Sequence, residues 1–194
     1  GYKIDGLSTP YWSIDFPLQH FDQVQLLKGA TGFMYGFGGP GGIVNFVAKR
    51  PTQDRLFNVS LGYTSDSLLS EGVDLGGQIG DRFGYRLNGF YEDGETFNGG
   101  HNTYKSVSLA TDIKITDRLT LTLDGFYMNT LQLGQVNTIS VTAGVTSLQP
   151  VDGTTPLGAA ESWKTNDMYV FTSTLNYEIN DDWSATLSYR YANL

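Results

Sequence analysis

"LTLTLDGFYMN", residues 119–129, alternates apolar and polar side chains without a break from Leu119 to Asp124. Leu119, Leu121, Leu123 and Tyr127 share one parity, while Thr120, Thr122 and Asp124 hold the other. A period of two sends successive side chains to opposite faces, which a β-strand does and an α-helix does not. The same parity runs outward from this stretch and predicts strands at about 55–64, 71–80, 84–93, 104–115, 119–129, 168–179 and 183–192. Odd positions carry Phe57, Val59, Leu61 and Tyr63, then Val73, Leu75 and Ile79, then Tyr85, Leu87 and Tyr91, then Val107, Leu109, Ile113 and Ile115. Beyond residue 129 they carry Tyr169, Phe171, Leu175, Tyr177 and Ile179, followed by Trp183, Leu187, Tyr189 and Tyr191. Even positions are mostly polar or small, as at Asn58, Asp74, Asn88, Ser108, Asp112, Thr174, Glu178 and Arg190. Phe90, Phe126 and Val170 break the rule. One face of this antiparallel sheet is therefore expected to be apolar and the other wet.

A soluble β-sandwich shows the same alternation, so two further features decide between it and a membrane barrel. Aromatic residues gather near the strand ends on the apolar parity, as Phe57 and Tyr63, Tyr85 and Tyr91, or Trp183 with Tyr189 and Tyr191. Interfacial girdles of a transmembrane β-barrel are built this way. Short turns at 80–83, 116–118 and 180–182 also alternate with connections expected to be longer, at 65–70, 94–103 and 130–167. Outer-membrane barrels place short turns on the periplasmic side and longer loops outside. No run approaches the length of a transmembrane helix, which leaves the barrel reading intact. The 24 Gly, 12 Tyr and 11 Phe suit β-structure rich in tight turns, and the absence of Cys excludes disulfides, thiol nucleophiles and cysteine metal sites. A net charge of -8 argues against nucleic acid as a partner.

Residues 1–54 follow a different grammar, with four of the six prolines and the run "YGFGGPGGIVNFVAKRP" at 35–51. Its glycines match the G-x-G-x-x-G pattern of dinucleotide sites, but such a site needs a helix after the turn. Ile43, Val44, Phe46 and Val47 predict a strand there instead, and Pro40 removes a backbone donor from any phosphate nest. Gly36, Gly38, Pro40, Gly41 and Gly42 are thus expected to serve a compact backbone turn. His20 and His101 have no nucleophile or second ligand at a diagnostic spacing, so no catalytic residues and no metal site are assigned. His101 lies near Glu92, Asp93 and Glu95, which reads as a solvated loop. Both ends of the chain read as the interior of something longer.

"FDQVQLLKGATGFMYGFGGPGGIVNFVAKRPT", residues 21–52, resembles the C-terminal part of the plug domain of TonB-dependent outer-membrane receptors, most of all the ferric-siderophore branch. The resemblance rests on Lys28-Gly29, Met34-Tyr35-Gly36, Pro40-Gly41-Gly42, Val44-Asn45 and Lys49-Arg50-Pro51, with Ile4-Asp5-Gly6 fitting an earlier plug strand. Gln25 departs from the family's usual Glu and puts a local polar contact in doubt. The resemblance implies part of a mixed α/β plug at 1–54 and the first seven or so strands of a barrel of about 22 at 55–194. It further implies import of a ferric siderophore across the outer membrane of a Gram-negative bacterium by a monomer embedded in outer-membrane lipid and energised by TonB. Iron would enter only inside the siderophore, with no cofactor of the protein's own. Ser8, Thr9, Tyr11, Trp12 and Tyr35 are the implied ligand contacts, and Lys49 and Arg50 are implied to hold the plug against barrel carboxylates. Partners for that pair are expected mainly in strands beyond this chain, with Glu178, Asp112 and Asp124 as candidates within it. Import of cobalamin, haem or an oligosaccharide is an alternative within the family, and a passive porin or adhesive barrel is an alternative outside it.

Overall fold

The computed structural model describes residues 1–9, 16–29, 41–64, 66–134, 152–154, 159 and 161–193. Four strands come first: β1 (Tyr2–Ile4), β2 (Leu7–Ser8), β3 (Phe21–Lys28) and β4 (Gly42–Ala48). They form one sheet in the order β2-β1-β4-β3, in which β1 runs parallel to β4 and the other pairs are antiparallel. The strand expected at 43–47 is therefore present. Among the described residues of this part the helical content is a single 3-10 turn, Leu18–His20. The expected mixed α/β character is not seen in them.

Seven long strands follow: β5 (Leu56–Thr64), β6 (Leu68–Ile79), β7 (Phe83–Glu95), β8 (His101–Lys114), β9 (Leu119–Leu133), β10 (Trp163–Glu178) and β11 (Ser184–Asn193). They make a second sheet whose order follows the chain, each strand antiparallel to the next. The registers turn the odd parity into rows. Phe57, Leu75, Leu87, Leu109, Phe171 and Tyr191 stand in one row, broken only by Gly125. Four positions along the strands the row reads Leu61, Glu71, Tyr91, Lys105, Asn129 and Asp167, where charge first enters this face. From Tyr177 to Tyr169 on β10 the strand rises about 27 Å at ~3.4 Å per residue. Tilted by about 40°, that is roughly 20 Å of height, comparable with the ~25 Å apolar band of an outer-membrane barrel. Leu61 at 81% and Leu187 at 72% exposure show how little of this face is covered by the described residues.

Two of the connections expected to be long are short. β5 ends at Thr64 and β6 begins at Leu68, and residues 96–100 alone join β7 to β8. The strict short and long alternation therefore holds only for 134–162, between β9 and β10. At the first connection Asp66 and Ser67 take φ of 62° and 71°. Positive φ in so short a hairpin connection is ordinarily announced by a glycine. Without a glycine the turn reads as an open loop. The strands also run longer than expected at this edge, because polar residues such as Thr103 and Thr130 extend the ladder past the apolar rows.

The first sheet lies on the even, polar face of the second. The shared core joins Ile4, Phe16, Phe21 and Phe46 to Phe126, Met128, Met168 and Val170 of β9 and β10. Two of the three residues that break the alternation, Phe126 and Val170, are thus the wall residues the first sheet packs on. Phe16 meets Phe46 edge-on with ring centroids 4.7 Å apart, and Phe126 presents an edge to Phe21 at 6.0 Å.

Candidate functional site

The seam between the two sheets is apolar at Phe126, Met128, Met168 and Val170 and ionic beside them. Lys49 and Arg50 follow β4, where the chain leaves the first sheet, and both point at the wall. Lys49 Nζ donates to Asp74 Oδ2 at 2.9 Å and to Asn88 Oδ1 at 3.1 Å. Asp74 also takes a fork from Arg86, at 2.6 Å from Nε and 2.8 Å from Nη2. Arg50 bridges the sheets, with Nη1 donating to Asp124 Oδ1 at 3.0 Å and Nη2 to Asp5 Oδ2 at 3.1 Å. The expectation that the partners lie mainly beyond this chain is corrected: Asp124 is one of the three candidates, and Asp74, Asn88 and Asp5 complete the set. Asp112 and Glu178 do not take part. They line a pocket of about 470 Å³ with Pro51, Gln78 and Lys114 near the short turns, and Asp112 accepts from Thr122 at 2.9 Å. Register explains the choice, since Asp74 and Asn88 are cross-strand partners and Asp124 stands one row nearer the short turns.

Asp5 and Gly6 close the hairpin of β1 and β2 with φ of 47° and 77°. Asp5 Oδ1 accepts the Ala48 N–H at 3.0 Å, and the Gly6 N–H donates to Asn45 Oδ1 at 2.9 Å. Asn45 in turn donates to Gln25 Oε1 at 3.0 Å, so the amide at position 25 makes a polar contact within the first sheet. From the wall, Arg190 Nη1 donates to the carbonyls of Ile4 and Leu7 at 2.9 and 3.1 Å. Neither Asp5 nor Arg190 was marked by any local pattern as a seam residue.

His20 sits between the sheets, buried, with Nδ1 2.9 Å from Ser108 Oγ. Its Nε2 is buried with no hydrogen-bond partner among the described residues. Burial, helped by the Lys49 ammonium and only partly opposed by Asp74, pushes its pKa down from 6.5 to about 4. The ring is therefore neutral at physiological pH.

Of the residues expected to touch ligand, Ser8 is exposed in β2, 3.4 Å from Lys3 Nζ, and the Thr9 N–H donates to the Tyr2 carbonyl at 3.3 Å. Tyr11, Trp12 and Tyr35 lie outside the described residues, as do Gly36, Gly38 and Pro40. Gly41 and Gly42 lead into β4. Gly42 has φ of 121°, and a Cβ there would collide with the Leu27 carbonyl oxygen, so close backbone approach requires glycine. Thr9, Lys28 and Gly42 all stand at the end of the first sheet opposite the turn of Asp5 and Gly6. Pro51, at the other end, packs against Gly84 close to the short-turn edge of the wall. The end of the first sheet at Thr9, Lys28 and Gly42 is thus the one farther from the short turns of the wall.

His101 Nε2 lies 3.2 Å from Asp93 Oδ1, which also accepts from Thr103 at 2.7 Å. Among the described residues no group of three or more His, Asp or Glu side chains is arranged to hold a metal ion.

No family model matches the chain. Curated relatives do. It is 27% identical over 201 residues to the ferrichrome receptor FcuA of Yersinia enterocolitica, an alignment covering 95% of this chain and 26% of that protein. It is 24% identical to the ferric-pyoverdine BN7/BN8 receptor of Pseudomonas putida, covering 98% of this chain and 24% of the relative. The chain thus spans about a quarter of the length of these relatives. Among solved structures, BauA, the ferric preacinetobactin receptor of Acinetobacter baumannii, superposes with a TM-score of 0.87 over 98% of this chain and 29% of its own, at 23% identity. A ferripyoverdine complex of FpvA from P. aeruginosa gives 0.85 over 98% of this chain and 27% of its own, at 18% identity. At those identities the superpositions establish the fold alone, an open portion of a barrel wall with part of a plug against it. Sequence likeness runs along nearly the whole chain as well: the curated relatives it matches are siderophore receptors, and the chain is similar to a part of them.

Proposed function

We propose that residues 1–54 are the C-terminal part of a plug, that 55–194 are opening strands of the barrel around it, and that the whole receptor imports an iron–siderophore complex. The observation that carries this reading is the two-sided wall. Its outer face is apolar and left uncovered by the described residues, while its inner face is polar and holds the first sheet through Lys49, Arg50 and Arg190. A sheet with that division suits lipid on one side and an occupied lumen on the other. Ser8 and Thr9 stand at the end of the first sheet away from the short turns, and ligand contact is assigned to them together with Tyr11, Trp12 and Tyr35, because aromatic surface with a few hydrogen bonds suits a bulky, partly apolar ferric complex. Force from TonB, applied on the short-turn side, would release the plug. Iron is cargo within the siderophore, the protein brings no cofactor, and its work is binding and gating rather than catalysis.

Growth of a receptor-deleted strain under iron limitation, with and without the full-length gene restored, tests the proposal across a panel of ferric siderophores. Rescue by at least one siderophore, lost on deletion of TonB, is expected. Absence of rescue by any of them overturns the substrate assignment, and rescue that survives TonB deletion overturns the energised gate.

A further inference from the structure

We propose that Arg190, on wall strand β11, is a positioning residue that seats the plug by holding the backbone of the turn of Asp5 and Gly6. The inference rests on the plug-and-wall reading above and adds a contact that Lys49 and Arg50 do not supply. Ile4 and Leu7 are the pair that closes the β1 and β2 hairpin. Each carbonyl oxygen has two lone pairs, so the ladder can use one and leave the other for Arg190. Arg190 Nη1 reaches both oxygens, at 2.9 and 3.1 Å, although Ile4 lies 186 positions away in the chain. Its Nε donates to Thr172 Oγ1 at 3.0 Å, and Thr172 is its direct cross-strand partner on β10. That bond fixes the plane of the guanidinium before the turn arrives. Nη2 is buried with no acceptor among the described residues, so three bonds hold the group.

Arg190 and Arg50 approach the same turn in different ways. Arg50 takes the Asp5 carboxylate and Arg190 takes the backbone on either side of it, while Asp124 lies near both cations. The result is an alternation of sign across the seam, with the turn between two arginines. A lysine carries all its donors on one nitrogen at the end of a flexible stem and has no planar group for Thr172 to brace through a second nitrogen, so it should hold the turn less firmly. Losing the fork should free the turn without disturbing the wall, because β11 keeps its ten-pair register with β10.

Amide hydrogen exchange on the full-length receptor in detergent, without ligand, is the test. Arg190→Ala and Arg190→Met, the second keeping most of the aliphatic stem, should each speed exchange at Asp5 and Gly6 by ~10-fold or more. Arg190→Lys should fall between them and the parent. Amides of β7, β8 and β9 should exchange as in the parent, and the heat-modifiable mobility of the barrel should persist. Unchanged exchange at Asp5 and Gly6 in both the Ala and Met variants overturns the proposal, and so does equal acceleration in β7 to β9, which would make Arg190 a general wall residue. Free exchange at 2–9 in the parent would overturn the docked arrangement and the clamp with it. Failure of siderophore-dependent growth would leave the clamp standing, since no readout here involves a ligand.

Discussion

Arg50 divides its two terminal nitrogens between the sheets, one on Asp124 of the wall and one on Asp5 of the plug. Reversing its charge places a carboxylate against two others, so Arg50→Glu is expected to weaken docking by about 2 kcal/mol. That lies below the ~3–5 kcal/mol of a fully buried pair because the Arg50 side chain stays 38% exposed. In the full-length receptor the variant should admit large hydrophilic probes that the parent excludes; wild-type uptake together with wild-type exclusion would show that Arg50 does not hold the plug. His20 gives a dependence on pH with a definite sign. Its pKa in the docked state is about 4 against 6.5 in water, so an undocked plug binds a proton between those values and the docked one does not. Docking strength from this group is complete above pH 6.5 and is lost as pH falls towards 4, at up to ~1.4 kcal/mol per unit. Protease cleavage within 16–28, followed from pH 7 to pH 4, should rise in the parent more steeply than in His20→Gln. Parallel curves for the two proteins would remove His20 from the account.

The elements follow from parity, and the exceptions to parity carry as much information as the rule. Odd positions built the uncovered face, and a charge in the middle of it should obstruct insertion: Leu109→Arg is expected to cost about 2–4 kcal/mol, as lipid-facing arginines near a bilayer midplane do. Thr174→Arg, on the inner face one strand from an edge, should be tolerated. Urea titration of the refolded full-length receptor in lipid vesicles would compare the two, and equal midpoints would contradict the assignment of faces. Phe126 and Val170 stood out in the sequence as apolar residues on the wet parity, and they proved to be the floor on which Phe16, Phe21 and Phe46 rest. The strand of Ile43 to Val47 and the close approach at Gly42 were equally legible, since both are local. The seam was not. Asp74, Asn88 and Arg190 occupy ordinary lumen-facing positions, and only the registers of strands far apart in the chain bring them to Lys49 and the hairpin turn. The connection at 65–67 was missed for a different reason, because Asp66 and Ser67 accept positive φ without the glycine that normally signals it.

At the scale of the whole molecule, the wall is open. Among the described residues β5 and β11 each have one neighbour, so each presents an unpaired row of backbone donors and acceptors along its free edge. In the hydrocarbon region every such group left without a partner costs several kcal/mol, which is why membrane sheets close. Seven strands are also fewer than the eight of the smallest outer-membrane barrels, and a sheet wrapped around a plug needs many more. The first sheet cannot close the gap, because it covers the inner face and pairs with neither edge. The 194-residue chain by itself is therefore expected to associate edge to edge when refolded in detergent, through β5, β11 or both. Gel electrophoresis with and without boiling should show a heat-modifiable monomer for the full-length receptor and only higher oligomers or unfolded chain for the isolated piece. A monomeric, heat-modifiable 194-residue species would mean that these strands close on themselves, and the barrel would then be a small one with no room for a plug.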